Sequence, residues 1–159
     1  GLHANSGILF NHESPRRGET FVTRKITIAA ANIQLGNQTH IELGNLSAKR
    51  DWGHAKDYVR AMYLMLQQDK PDDYVIATGK THSVKEFLDE VWKHANLGNS
   101  RQHLRINKKY FRPQEVPYLL GNSTKAHRIL KWTPQYTFAT LAKDMLRNDI
   151  NLVKRKEGL

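Results

Sequence analysis

Cysteine is absent from the chain, which excludes disulfides and thiolate metal sites and is compatible with a cytosolic setting. No apolar run approaches the ~20 residues that span a bilayer. The opening residues lack the basic-then-apolar pattern of a secretory signal. Gly-x-Ser-x-Gly does not occur, so nothing supports a serine nucleophile. The histidines are scattered, with no two at the four-residue helical spacing of a zincin, and no bound metal is expected. Acidic residues are the scarcer sign, 15 against 25 Lys and Arg. The formal charge of +10 favours anionic partners such as nucleotides, nucleic acid or a membrane surface.

A length of 159 residues is about one domain's worth of chain. The chain opens on Gly1, a few residues from a strand, so a fragment of a longer protein is expected. Gly7 to Phe10 reads as a buried strand that empties into a polar loop, residues 10–18. Helical spacing of Val22, Ile26, Ala29 and Ile33 predicts a helix over 20–35, closed by Gly36. His40 to Leu43 is a short strand candidate. Residues 55–68 form a helix carrying Tyr58, Met62 and Met65 on one face. Its centre, 61–66, is apolar all round and is expected to be deeply buried. Residues 73–78 form a second strand. Ser83 to Glu86 is a capping box, followed by a stripe of Val84, Phe87, Leu88, Val91, Trp92 and Ala95. Residues 104–111 read as extended and 123–130 as a short helix. Thr137 caps a last helix, whose Lys154, Arg155 and Lys156 are expected to fray. Strands alternate with helices, which argues for the α/β class. Two firm strands make a poor sheet alone, so partner strands are expected elsewhere.

Three polar clusters stand at element ends. The first, Phe-Asn-His-Glu-Ser-Pro-Arg-Arg-Gly (10–18), offers an amide, an imidazole, a carboxylate and two guanidiniums beyond a strand, where α/β enzymes hold ligands. The second is Lys-Arg-Asp-Trp-Gly-His (49–54). The third is Tyr-Phe-Arg-Pro-Gln-Glu-Val (110–116). Arginines converging from distant segments can hold a diphosphate bidentately, and a carboxylate such as Glu115 can accept from ribose hydroxyls. Taken alone, each arginine also reads as a surface ion-pair residue, and Arg50-Asp51 as a local salt bridge worth little.

In this order the clusters resemble the GDP-mannose 4,6-dehydratases, a group of extended short-chain dehydrogenase/reductases. The likeness also runs through Phe-Val-Thr-Arg-Lys-Ile (21–26), Leu-Gly-Asn-Leu-x-Ala-Lys-Arg-Asp-Trp-Gly-His-Ala-Lys-Asp-Tyr-Val (43–59), Tyr-Val-Ile-Ala-Thr-Gly (74–79) and His-Ser-Val-Lys-Glu-Phe (82–87). It implies the last strands of a Rossmann sheet with a smaller, mostly helical GDP-sugar domain, forming one partial unit over 1–159 without the NADP-binding half. It implies NADP as cofactor and GDP-mannose as substrate, in a cytoplasmic homo-oligomer (dimer or tetramer) with no nucleic-acid or membrane partner. By position, His12 and Arg17 resemble the family's NADP contacts. Asn11, Lys25, Arg50, Arg112 and Glu115 resemble its GDP-sugar contacts.

The family's glycine-rich turn, Gly-x-x-Gly-x-x-Gly, does not occur here, and none of the six tyrosines has the lysine four residues on that marks the family's general base. No catalytic residue is therefore expected within the chain, and the chain alone is expected to be inactive. The residues also leave open a non-catalytic nucleotide-sugar-binding or regulatory protein, or a basic nucleic-acid-binding domain.

Overall fold

A computed structural model of the chain describes residues 1–111 and 113–158. In chain order it contains β1 (Ser6–Leu9), β2 (Asn11–Glu13), α1 (Val22–Gln34), β3 (Ile41–Leu43), β4 (Lys49–Arg50), β5 (Trp52–His54) and α2 (Ala55–Leu66). There follow β6 (Asp73–Ile76), β7 (His82–Ser83), α3 (Val84–Ala95), β8 (Leu104–Ile106), α4 (Thr124–Leu130) and α5 (Phe138–Lys156). The class is α/β, as the alternation implies.

Strands β1 and β2 form nearly one run that changes partner at Phe10. β1 pairs in parallel with β6, Ser6 opposite Asp73, and β2 pairs in parallel with β5, Asn11 opposite Trp52. Phe10 bridges the change by donating its amide to Ile76 O at 3.0 Å. The chain from β5 through α2 to β6 is thus a crossover between parallel neighbours of one run. β3 pairs in parallel with β8, and β4 pairs antiparallel with β7. The segment 10–18 is therefore less loop than expected, because the ladder with β5 satisfies the backbone of Asn11 to Glu13.

Buried Asp51 joins these pairs. Its Oδ1 accepts from the Thr78 amide at 2.8 Å and the Thr78 hydroxyl at 2.6 Å. Its Oδ2 accepts from the amides of Gly79 at 3.0 Å and Gly121 at 3.2 Å. The expected Arg50–Asp51 ion pair does not form, since neighbours on an extended strand point to opposite faces. Arg50 turns instead to Glu115, 3.4 Å away.

Two apolar clusters hold the elements. In the larger, α1, α3 and α5 pack on one another around Phe87, Leu88, Val91, Trp92, Leu141 and Met145. α3 shows the full expected stripe, the Ser83–Glu86 capping box and a left-handed Asn96 at its end. In the smaller cluster Tyr58, Ala61 and Met65 of α2 pack on Tyr74, Ile76 and Trp132.

The expected deep burial of α2 is not found. Val59, Met62, Tyr63 and Leu66 are exposed, at 61, 39, 61 and 58 %. Apolarity on every side does not say which side is covered, and β6 and α4 cover only one. Two further expectations change. α5 stays helical through Lys156 instead of fraying, and residues 104–111 extend only to Ile106 before a 3-10 turn over Lys108–Tyr110. Among the described residues no helix is long and apolar enough to cross a membrane.

Candidate ligand cleft

A cleft of about 420 Å³ opens where β2, the start of α1, β4–β5 and the residues Tyr110, Phe111 and Glu115 meet. Period-two alternation along β2 sends Asn11 and Glu13 into it and His12 to the other face. His12 packs on Tyr58 at 5.1 Å between ring centroids. Its Nδ1 donates to Phe10 O at 2.9 Å, which fixes the proton there and leaves Nε2 as an acceptor in the neutral ring.

Arg17 enters the cleft from the turn after β2, whose amide bond runs from Arg17 N to Ser14 O at 2.9 Å. Its guanidinium lies 3.6 Å over the Phe21 ring, a cation–π contact. Its Nε is 3.2 Å from Glu13 Oε2 but off the hydrogen-bond axis, so this buried donor has no aligned partner among the described residues. Glu13 is buried, accepts from the Thr23 hydroxyl at 2.5 Å, and has its pKa raised by burial, with Thr23 and Arg17 opposing the rise.

On the opposite wall, Lys25 reaches back from the first turn of α1. Its Nζ donates to Glu42 O at 2.6 Å and sits 3.5 Å from the centroid of the Tyr110 ring. Arg50 donates through Nη1 to Val116 O at 2.7 Å and contacts Glu115 through Nη2 at 3.4 Å. Asn45 donates to the other Glu115 oxygen at 2.9 Å. Gly44 closes the wall, because a Cβ there would stand 2.6 Å from Tyr110 O.

Asn11, Arg17, Lys25, Arg50 and Glu115 thus share one cleft, and His12 flanks it from behind β2. Arg112 lies outside the described residues. Glu13, Thr23, Gly44, Asn45 and Trp52 also line or brace the cleft and were not among the expected site residues. Glu13 had one readable signal, its carboxylate within the first polar cluster, 10–18. Four cations, Arg17, Lys25, Arg50 and Lys109, beside two carboxylates, with a glycine wall and a buried tryptophan, suit a flat polar ligand bearing phosphates.

The family profile described as GDP-mannose 4,6 dehydratase matches residues 1–145. GDP-mannose 4,6 dehydratase 1 of Arabidopsis thaliana is 56% identical over 159 residues, all of this chain and 44% of that protein. GDP-mannose 4,6 dehydratase of Drosophila melanogaster is 51% identical, over 97% of this chain and 43% of its own length. The chain therefore spans under half the length of these curated relatives. In fold it is similar to RMD from Pseudomonas aeruginosa, solved in complex with NADPH, with a TM-score of 0.83 at 19% identity over 92% of this chain and 48% of that one.

Proposed function

The chain belongs to the GDP-mannose 4,6-dehydratase family, and from that premise we propose that it forms the nucleotide-sugar-binding side of such an enzyme. The observation that carries this reading is the convergence of Asn11, Lys25, Arg50 and Glu115, from four separate stretches of chain, on one cleft. Arg50 takes the diphosphate through Nη2, the terminal guanidinium nitrogen not committed to backbone carbonyls. Lys25, which has N–H groups beyond the one given to Glu42 O, meets nucleoside or phosphate oxygens. Glu115, held by Asn45, accepts from hydroxyls. Asn11 turns its amide to the sugar end. Arg112 joins the diphosphate contacts on the family resemblance alone.

NADP, when bound, supplies the hydride acceptor and donor for the net conversion of GDP-mannose to GDP-4-keto-6-deoxymannose in the complete enzyme. Arg17 and His12 fit separate parts of that cofactor, since they stand on opposite faces of β2. The partly exposed Arg17 guanidinium offers its outer N–H groups to a phosphate from the cleft side, and His12 offers an Nε2 acceptor on the other face. In this reading the chain unites the last strands of a Rossmann sheet with a smaller sugar-nucleotide domain, in a cytoplasmic homo-oligomer.

The test is a GDP titration of the 159-residue chain followed through Trp52 in the cleft wall. Saturable binding that Arg50→Lys weakens supports the reading, and the absence of saturable binding overturns it. The same chain incubated with GDP-mannose and NADP is expected to give no 4-keto-6-deoxy product, because it holds no tyrosine with lysine four residues on.

A further inference from the structure

Asp149 lies on α5 and does not line the cleft, yet a buried chain of contacts leads from it to Arg17. Asp149 is 1 % exposed and Arg24 is 6 % exposed. The Arg24 Nε donates to both oxygens of Asp149 at 2.9 Å, and Nη2 approaches Oδ1 at 2.9 Å. Thr27 clamps Asp149 from the side, its hydroxyl donating to Oδ2 at 2.6 Å. The remaining face of the guanidinium turns to the turn after β2. There Nη1 donates to Pro15 O at 2.6 Å and to Arg17 O at 2.8 Å.

We infer that Asp149 and Arg24 are positioning residues for Arg17, so that the last helix sets the anion-binding geometry of the cleft. A buried ion pair is weak grounds for a stability role, because apolar residues of equal volume often serve as well. What apolar residues cannot do is fix two carbonyl oxygens in space. Arg24 does this in three directions at once, two toward the turn and one toward α5. With its own carbonyl held, Arg17 has its Cα fixed, and its side chain leaves the turn toward Phe21 and Glu13. The rest of the turn has weaker ties: Arg16 is exposed, and Ser14 makes only local bonds with the amides of Arg16 and Arg17. Arg24→Lys keeps the charge but cannot reach Asp149 and two carbonyls together.

The inference rests on the cleft reading for its functional meaning, so the experiment has two arms. The first needs no ligand. Amide exchange is followed at Arg17, whose N–H donates to Ser14 O, in wild type, Asp149→Asn, Arg24→Lys and the milder Thr27→Val. The expected result is exchange at Arg17 faster by roughly tenfold in the first two and by a few-fold in the third, while α3 keeps its protection. Thr27→Val preserves volume and keeps the arm readable should the other two unfold. Unchanged exchange at Arg17 in a folded variant overturns the inference.

The second arm titrates NADPH against the complete enzyme that contains this chain, as wild type, Asp149→Asn, Arg17→Ala and the double variant. Asp149→Asn is expected to weaken binding about tenfold, the cost of one misaligned charge-assisted hydrogen bond, and to add nothing once Arg17 is gone. An equal loss in both backgrounds makes Asp149 merely structural and overturns the inference. If wild type binds no NADPH, the cofactor role of Arg17 falls, and the exchange arm still decides whether α5 positions the turn.

Discussion

Arg50 holds Val116 and Glu115 with two different nitrogens, donating to the Val116 carbonyl at 2.7 Å and contacting the Glu115 carboxylate at 3.4 Å. The short bond is to backbone, and the long one is to the only group of the pair that a ligand could replace. A diphosphate entering the cleft can take Nη2 without unmaking the wall. Arg50→Lys should then weaken GDP binding by about 1.5–3 kcal/mol, the range for hydrogen bonds to charged groups. Calorimetric titration of both proteins checks this, and wild-type affinity in the variant would remove Arg50 from the site.

Glu13 is costly to keep ionised. Burial raises its pKa above the ordinary carboxylate range, and the Thr23 bond and Arg17 only partly offset this. The folded state then binds the proton more tightly than the unfolded chain, so the penalty is present above the folded pKa and fades as pH falls toward the ordinary value. Glu13→Gln keeps an acceptor for Thr23 and removes the charge. It should raise the melting temperature at pH 7, with the gain shrinking toward pH 4. If the wild type is the more stable at pH 7, the Arg17 contact outweighs burial. A stabilising change at this position that also lowered ligand affinity would fit a residue kept for binding.

How much of this was readable varies by element, and the reason is range. α3 was fully legible because its capping box and its apolar stripe are both local signals. β2, β4, β5 and β7 are two or three residues long, and only their pairing across the chain makes them strands. The first cluster announced a ligand site by composition, yet only the β2–β5 ladder decides that Asn11 and Glu13 face the cleft together and His12 does not. Arg24 and Asp149 stand 125 residues apart, and nothing near either predicts the other. α2 misled because composition cannot tell a helix covered on both sides from one covered on one.

Gly44 is a steric prediction. A Cβ there would lie 2.6 Å from Tyr110 O, backbone that cannot swing away as a side chain can. Gly44→Ala should displace the 108–110 turn and with it the ring that Lys25 lies against. The expected outcome is a loss of GDP affinity with a modest fall in stability, about 1–3 kcal/mol for a small overpacking. Unchanged GDP binding in a folded variant would show that the Tyr110 wall does not shape the site.

Asp51 makes the sharpest stability prediction. Its two oxygens accept four hydrogen bonds, two each, from Thr78, Gly79 and Gly121. Asp51→Asn changes almost nothing in size, but one oxygen becomes an NH2 that faces donors on either side. Whichever way the amide turns, two bonds are lost. A buried donor left unpaired costs about 1–3 kcal/mol, so the substitution should cost roughly 2–6 kcal/mol, with the Thr78 hydroxyl able to recover part by rotating. Since the start of β5, the turn after β6 and the segment at Gly121 all hang on this one carboxylate, the loss should be cooperative. Urea unfolding is expected to show a lower midpoint with an unchanged slope, the sign of lost stability without a change in compactness. Asp51→Ala should be no worse than Asp51→Asn, because a small cavity that admits water can serve the donors better than a misplaced NH2. A loss below about 1 kcal/mol in Asp51→Asn would mean that the four donors have other partners and that Asp51 does not bind the strands together.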